Sequence, residues 1–74
     1  MSKTVLRVLS EIEPGTDFTL SDDYVRDNLL DSLGVITLIE LLESEFDIEI
    51  EGVDIIYENF KNLDAIIAML EKYR

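Results

Sequence analysis

A serine stands just before the most regular apolar pattern in the sequence, within the run Asp31-Ser32-Leu33-Gly34. A serine hydroxyl becomes an enzymatic nucleophile only when a general base activates it. The 74-residue chain has no histidine and no convincing lysine arrangement for this role, so a hydrolase is not expected. A serine that another enzyme modifies needs an exposed position, little bulk nearby and, for a phosphate, the free N–H groups of a helix N-terminus. Ser32, followed by Gly34, meets these requirements.

The residues after this serine predict the helix that positions it. Apolar residues recur there at helical spacing: Val35, Leu38, Ile39, Leu42 and Phe46. This periodicity predicts a helix from about Ser32 to Glu45. Asp31 or Ser32 is expected to be its N-cap.

The rest of the chain predicts three further helices. A first helix ends before Pro14-Gly15, a short one extends from Val53 to Glu58, where Asn59 can end it, and a last one begins after the cap residue Asn62. Lys72 and Arg74 follow in the last turn of that helix, where they complement its dipole.

Two segments lack a regular helical pattern. The stretch 13–30 predicts a long loop pinned by buried side chains, with a short helical turn inside it. Residues 46–51 alternate apolar and acidic side chains, which is compatible with an extended segment that has no partner strand. We therefore expect an all-α fold, a small bundle of three main helices and one short helix, in a single domain spanning residues 1–74.

Composition narrows the kinds of partner. The chain has 17 acidic and 6 basic residues and a formal net charge of −11, which would repel nucleic acids and anionic lipids and favour basic protein surfaces. It has no cysteine, which excludes disulfides and thiolate metal sites. No apolar run is long enough to span a membrane or to form a signal peptide. We expect a cytoplasmic monomer.

The negative charge is concentrated in the middle of the chain. No basic residue lies between Arg26 and Lys61, where ten acidic residues lie. Glu43 and Glu45 come near the C-terminal end of the predicted second helix, where the helix dipole disfavours a carboxylate and no neighbouring lysine offsets it. Two interpretations remain open: a solvated face that keeps a small domain soluble, or a surface that docks on a partner.

The run Leu30-Asp31-Ser32-Leu33, the apolar helix after it and the tail Glu43-Ser44-Glu45-Phe46-Asp47-Ile48-Glu49-Ile50 together resemble the acyl carrier proteins and the related peptidyl and D-alanyl carriers. The resemblance covers nearly the whole chain. It implies a non-catalytic shuttle in lipid or secondary-metabolite biosynthesis. In this family a phosphopantetheinyl transferase, using coenzyme A and magnesium only during loading, attaches phosphopantetheine to the serine that matches Ser32.

The resemblance also implies partners and further site residues. The thiol of the phosphopantetheine arm would carry an acyl or aminoacyl thioester between a ligase and downstream transferases or synthases with basic docking patches. Asp31 would lie near the magnesium and the transferase during loading. Residues of the second helix and its tail would contact partners: Asp31, Leu33, Gly34, Thr37, Glu40, Glu43 and Ile48.

The sequence departs from the fatty-acid carriers at three of these positions. Gly34 and Thr37 stand where those carriers have acids, and Glu40 stands where they have methionine. Gly34, with Glu43-Ser44 and Phe46-Asp47-Ile48 downstream, is nearer to the pattern of stand-alone D-alanyl and aminoacyl carriers or of carriers of specialised pathways, and the cargo stays open.

The resemblance also implies a cleft that can shelter an acyl chain. Its lining would be Val53, Ile55, Ile56 and Phe60, although the same residues could equally form plain core. The neighbouring Tyr57 is bulky for such a wall, so a sheltered long chain is not expected.

A calcium-binding or adaptor module is the alternative. Asp47, Glu49, Glu51, Gly52 and Glu58 fall at positions 1, 3, 5, 6 and 12 of an EF-hand loop. The glutamates, the intervening isoleucines and Asp54 at position 8 depart from that loop. A carrier-like adaptor that is never loaded is a further alternative. The variant Ser32→Ala separates these alternatives from a carrier, because only the carrier needs the serine.

Overall fold

The computed structural model describes residues 1–73. In this part of the chain four α-helices and no β-strand are present, as the apolar periodicity predicts. The helices are α1 (Ser2–Ile12), α2 (Ser32–Phe46), α3 (Tyr57–Phe60) and α4 (Leu63–Glu71), and two 3₁₀ turns span Phe18–Leu20 and Gly52–Asp54. The predicted all-α architecture of three main helices and one short helix is confirmed.

The core lies where α1, α2 and α4 meet. Each helix buries one apolar stripe there, because residues three and four positions apart share a face of a helix. The connecting segments add aromatic and aliphatic side chains that close the core. The buried residues are Val5, Val8, Leu9, Phe18, Tyr24, Leu30, Leu38, Leu42, Ile50, Phe60, Ile66, Met69 and Leu70.

The long loop between α1 and α2 is anchored by buried aromatic rings. The rings of Phe18 and Tyr24 meet edge to face with centroids 5.0 Å apart. Backbone hydrogen bonds close a helical turn at 24–28, which ends at Asn28 in the left-handed conformation, with a φ of 60°. The Tyr24 N–H also donates to the Lys61 carbonyl at 2.6 Å and ties the loop to the end of α3. The prediction of a pinned loop with a short helical turn inside it is confirmed.

The short helix begins later than the sequence pattern predicts. The prediction of a helix from Val53 to Glu58 is wrong: a 3₁₀ turn ends at Asp54, and α3 starts only at Tyr57. The chain is extended at Ile56, with φ −131° and ψ 153°. Tertiary contacts explain the later start of this helix. Contacts of Asp54 with the residues after α4 hold the chain just before α3, and the burial of Phe60 fixes the position of the last residue of α3.

Asn59 lies inside this short helix and does not end it. Its side-chain Nδ2 donates to the Asp54 carbonyl at 2.9 Å, and its N–H donates to the Ile56 carbonyl at 3.0 Å. Both bonds strengthen the turn that leads into α3.

The ends of α2 and α4 are fixed by specific contacts. Asp47 ends α2 in the left-handed conformation, and residues 48–50 follow without a partner strand among the described residues. The Asn62 side chain accepts a hydrogen bond from the Ala65 N–H at 2.8 Å, which confirms the predicted cap of α4. Lys72 follows α4 and its ammonium bonds to the Asp54 carboxylate, whereas Arg74 lies outside the described residues.

Within residues 1–73, none of the helices is long and apolar enough to cross a membrane.

Candidate functional site

Ser32 is the first residue of α2, and its side chain is exposed. The preceding residue caps the helix: Asp31 Oδ1 accepts a hydrogen bond from the Gly34 N–H at 2.7 Å. The turn is tight, because a Cβ on Gly34 would lie 3.3 Å from Asp31 Oδ1 and 3.3 Å from Leu30 Cδ2. The Ser32 hydroxyl is therefore presented at a helix N-terminus without serving as the cap.

An apolar groove of about 390 Å³ opens beside Ser32. Asp31 and Ser32 contribute to its wall together with the apolar side chains of α2, namely Val35, Ile36 and Ile39. The opposite wall is formed by Ile55, Ile56, Tyr57 and Phe60, and Val25 of the long loop completes it. The groove places an apolar surface next to a modifiable hydroxyl.

Three of the four residues suggested as a cleft lining lie in this groove. Ile55, Ile56 and Phe60 line it, and Phe60 is also buried in the core. Val53 does not, since it sits in the 3₁₀ turn with 78% of its surface exposed. The later start of the short helix explains the difference, because it leaves Val53 outside the wall.

Sequence reasoning missed the contributions of α2 and of the long loop to the groove. Val35 and Ile39 fit a core stripe, and only the additional apolar Ile36 beside them indicated that α2 is apolar on a wider face than the core needs. Nothing in the sequence pattern indicated that Val25 lines the groove, because only the folding of the long loop brings this residue close to α2.

The residues suggested for partner contact divide into two groups. Leu33, with 69% of its surface exposed, Gly34, Thr37 and Glu40 lie on the first turns of α2 near Ser32. The Thr37 hydroxyl donates to the Leu33 carbonyl at 3.0 Å. Glu43 and Ile48 lie at the far end of α2 and just beyond it, and both are half-buried.

The two glutamates near the end of α2 have partners within the chain. Glu43 Oε2 accepts a hydrogen bond from the Ile50 N–H at 2.8 Å, and Glu45 pairs with Arg7 of α1 at 2.5 Å. The hydrogen bond and charge of Glu45 raise the pKa of the Arg7 guanidinium. The sequence offered no local partner for either carboxylate, because helix packing and the turn after α2 supply them.

A carboxylate behind the groove holds one of its walls. The Tyr57 hydroxyl donates a hydrogen bond to Asp23 Oδ2, and the Arg26 N–H donates to Asp23 Oδ1 at 2.9 Å. These two bonds, that of Tyr57 above all, lower the pKa of the Asp23 carboxyl. The same contact raises the pKa of the Tyr57 hydroxyl. The bulk of Tyr57 is evident from the sequence, but nothing in the sequence pattern pairs this residue with Asp23, 34 residues away.

The EF-hand interpretation of segment 47–58 does not fit this geometry. Ile50 is buried inside the would-be calcium loop, and α3 begins before that loop would end. The Asp54 carboxylate bonds to Lys72 and to Tyr73. No group of three or more potential ligands able to hold a metal ion occurs among residues 1–73.

The site fits a covalently attached phosphate ester. An exposed hydroxyl on the first residue of a fifteen-residue helix lies where free N–H groups and the helix dipole favour an anion. The family described as phosphopantetheine attachment site matches residues 3–70, nearly the whole chain. Comparisons with curated proteins and with solved structures gave no significant match. The chain thus belongs to the phosphopantetheine attachment family, whose members carry this group covalently and are generally non-catalytic carriers.

Proposed function

We propose that the protein is an acyl or aminoacyl carrier and that the Ser32 hydroxyl is the attachment point of its phosphopantetheine. The observation that carries this proposal is the position of Ser32, an exposed hydroxyl at the N-terminus of α2 beside an apolar groove. The family match supplies the prosthetic group, and the groove supplies a surface for what the group carries. When attached, phosphopantetheine supplies a terminal thiol that holds the cargo as a thioester.

The chain prepares its serine for modification by another enzyme. Asp31 takes the capping role, so the Ser32 oxygen is free to form the new bond to phosphorus. The Ser32 oxygen attacks the phosphorus on the pantetheine side of the coenzyme A pyrophosphate, and the P–O bond to the other phosphate breaks and releases adenosine 3′,5′-bisphosphate. The serine proton passes to a base of the transferase, since this chain has no histidine for that role. The N–H groups of the first turn of α2 then face the negative phosphodiester.

The surface around Ser32 is proposed to contact the transferase, the ligase that loads the cargo and the downstream enzymes. Leu33 offers an exposed apolar side chain there, while Thr37 and Glu40 continue the same helix. Glu43 and Ile48, at the other end of α2, are proposed to act in docking mainly by fixing the turn after the helix. Ile55, Ile56 and Phe60 are proposed as the shelter of the cargo within the groove.

The proposal is tested by intact-mass spectrometry after incubation with coenzyme A, magnesium and a broad-specificity phosphopantetheinyl transferase. The parent protein should gain the mass of one phosphopantetheine, and Ser32→Ala should gain none. Ser44→Ala is the matched control, since Ser44 is also an exposed serine of α2 and should leave loading unchanged. No mass gain on the parent, with a known carrier loaded in the same reaction, would reject the carrier and favour an adaptor that is never loaded.

A further inference from the structure

The hydrogen bond between Tyr57 and Asp23 joins the outer wall of the groove to the long loop. We propose that this bond holds residues 55–58, here called the strap, against α2 and thereby limits the groove to compact, uncharged acyl groups. The inference rests on the proposed function of Ser32 and adds to it a class of cargo and a residue pair that selects it.

Both ends of the strap are fixed by contacts that do not involve the groove. Before it, the Asp54 carboxylate bonds to Lys72 and Tyr73, and the Tyr73 hydroxyl accepts a hydrogen bond from the Glu51 N–H at 2.9 Å. After it, the Lys61 carbonyl accepts from the N–H of Tyr24. The chain is therefore held by hydrogen bonds both before and after the strap.

The hydrogen bond from Tyr57 to Asp23 connects the middle of the strap to the long loop. All four of its side chains are exposed, and among residues 1–73 the Tyr57 hydroxyl makes the hydrogen bond that joins them to a distant part of the chain. The other hydrogen bonds of the strap backbone reach only neighbouring residues, from Ile55 to Gly52 and from Asn59 to Ile56. Loss of the Tyr57 bond would leave the middle of the strap without a hydrogen bond to the long loop.

Asp23, which accepts the hydrogen bond from Tyr57, is itself held in place by burial and by further hydrogen bonds. Only 7% of its surface is exposed, and its second carboxylate oxygen is held by the Arg26 N–H. The Asp23 N–H in turn donates to Ser21 Oγ at 3.1 Å. A buried carboxylate oxygen that loses its donor is unfavourable, so the closed position of Tyr57 is preferred.

The size and chemistry of the groove define the cargo. Its volume of about 390 Å³ lies near the lower end of ligand sites, which measure roughly 300–1,000 Å³. Apart from Asp31, Ser32 and the Tyr57 hydroxyl, its lining is aliphatic or aromatic. Moving an ammonium group from water against the apolar side chains is costly, and Oδ1 of the one carboxylate in the lining, Asp31, is already bonded to the Gly34 N–H. An uncharged acyl group is therefore favoured over an aminoacyl group of the same shape.

The test uses the unloaded protein and free S-acylpantetheines of increasing chain length, from butyryl to octadecanoyl, with binding followed by NMR shifts of Val35 and Ile39. In the parent, affinity should rise by about fourfold per added methylene while the chain fits, and then level off. In Tyr57→Phe, which keeps the ring and removes only the hydroxyl, the levelling should move to longer chains. Tyr24→Phe is the matched control, because Tyr24 does not line the groove and its hydroxyl makes no hydrogen bond to the strap, and it should keep the parent profile.

Two further measurements test the proposal. The first distinguishes a local opening of the strap from a general loss of structure, and the second tests the preference for uncharged cargo. Amide hydrogen exchange in the strap should increase by roughly fivefold or more in Tyr57→Phe while exchange in α2 stays unchanged. S-isobutyrylpantetheine should bind the parent more tightly than S-alanylpantetheine, which has the same shape and carries an ammonium group.

The outcomes distinguish this inference from the function on which it rests. An identical chain-length profile in parent and Tyr57→Phe, or no levelling in the parent, would overturn the gating role of the strap even if Ser32 is loaded. Equal binding of the isobutyryl and alanyl compounds would overturn the preference for uncharged cargo. Failure to load Ser32 would instead reject the carrier, and the titrations of the unloaded protein would still decide the role of Tyr57.

Discussion

Asp31 Oδ1 and the Gly34 amide nitrogen lie 2.7 Å apart, and the hydrogen bond between them closes the first turn of α2 around Ser32. Asp31, just before Ser32, therefore accepts a hydrogen bond from one of the free N–H groups at the start of α2. Gly34, two positions after Ser32, has no Cβ that would crowd this contact. Helix stability and serine modification are thus assigned to adjacent but different side chains, and variants can separate them.

Asp31 is expected to contribute to stability mainly through its accepting oxygen, with a smaller contribution from its charge at the positive end of the helix dipole. Asp31→Ala should lower the free energy of unfolding by about 1 kcal/mol, the usual cost of a lost N-cap. Asp31→Asn should lose less than Asp31→Ala, because asparagine keeps the accepting oxygen and only the favourable interaction of the charge with the helix dipole is removed. Urea unfolding measures both. A loss in Asp31→Asn as large as that in Asp31→Ala would show that the cap is not the cause.

Ser32→Ala should leave the fold intact while abolishing loading. Since Asp31 caps α2 and the serine side chain is exposed, the free energy of unfolding should change by no more than about 0.5 kcal/mol. The same urea titration on Ser44→Ala provides the reference for an exposed serine of α2. A destabilisation of Ser32→Ala well beyond that reference would assign the serine a structural role.

Glu40 and Glu43 lie three residues apart on α2 and should respond differently to removal. Glu43→Ala should lower the free energy of unfolding by about 1.5–3 kcal/mol, because the Ile50 N–H loses a charged acceptor. Glu40→Ala should stay within about 0.5 kcal/mol, since Glu40 is exposed. Equal effects of the two substitutions would contradict the contact between Glu43 and Ile50.

The contact of Asp54 with Lys72 should make stability depend on pH in the acid range. Hydrogen bonds from the Lys72 ammonium and then from the Tyr73 hydroxyl lower the pKa of Asp54 in the folded protein. A carboxyl whose pKa is lowered by folding stabilises the fold above its unfolded pKa, and this contribution is lost as the pH falls through the folded pKa.

The difference in unfolding free energy between parent and Asp54→Asn measures this contribution without interference from the other carboxylates. The difference should be constant from neutral pH to about pH 4 and should shrink below it. A difference that stays constant down to about pH 2.5, or that grows, would contradict the assignment.

Salt should stabilise the protein. With a net charge of −11, like-charge repulsion opposes folding, and added ions screen it over a Debye length of about 8–10 Å at 0.1–0.15 M salt. The melting temperature should rise with sodium chloride and, at lower concentration, with magnesium chloride. Neutralising the exposed Glu49 and Glu51 with glutamine should weaken the rise. A flat or falling melting temperature in the parent would refute the prediction.

Local sequence determined the helices and the reactive position. Apolar residues three and four positions apart specify α1, α2 and α4, because each must bury one face. Asp31 and Asn62 specify where α2 and α4 begin, because their side chains accept hydrogen bonds from the first free amides. The serine that follows Asp31 falls at the first position of α2 by the same local rule, so the amino-acid sequence alone indicates the candidate attachment site.

Tertiary contacts decided the start of α3, the partners of several carboxylates and the shape of the groove, none of which a local sequence pattern can specify. The start of α3 depends on Asp54 meeting Lys72 and Tyr73, 18 and 19 residues away. The partners of Glu43 and Glu45, and the bond between Asp23 and Tyr57, likewise join residues that are neighbours only after the helices pack. The groove beside Ser32 arises in the same way, because its walls come from α2, the long loop, the strap and Phe60 at the end of α3, and these parts on either side of α2 meet only in the folded chain.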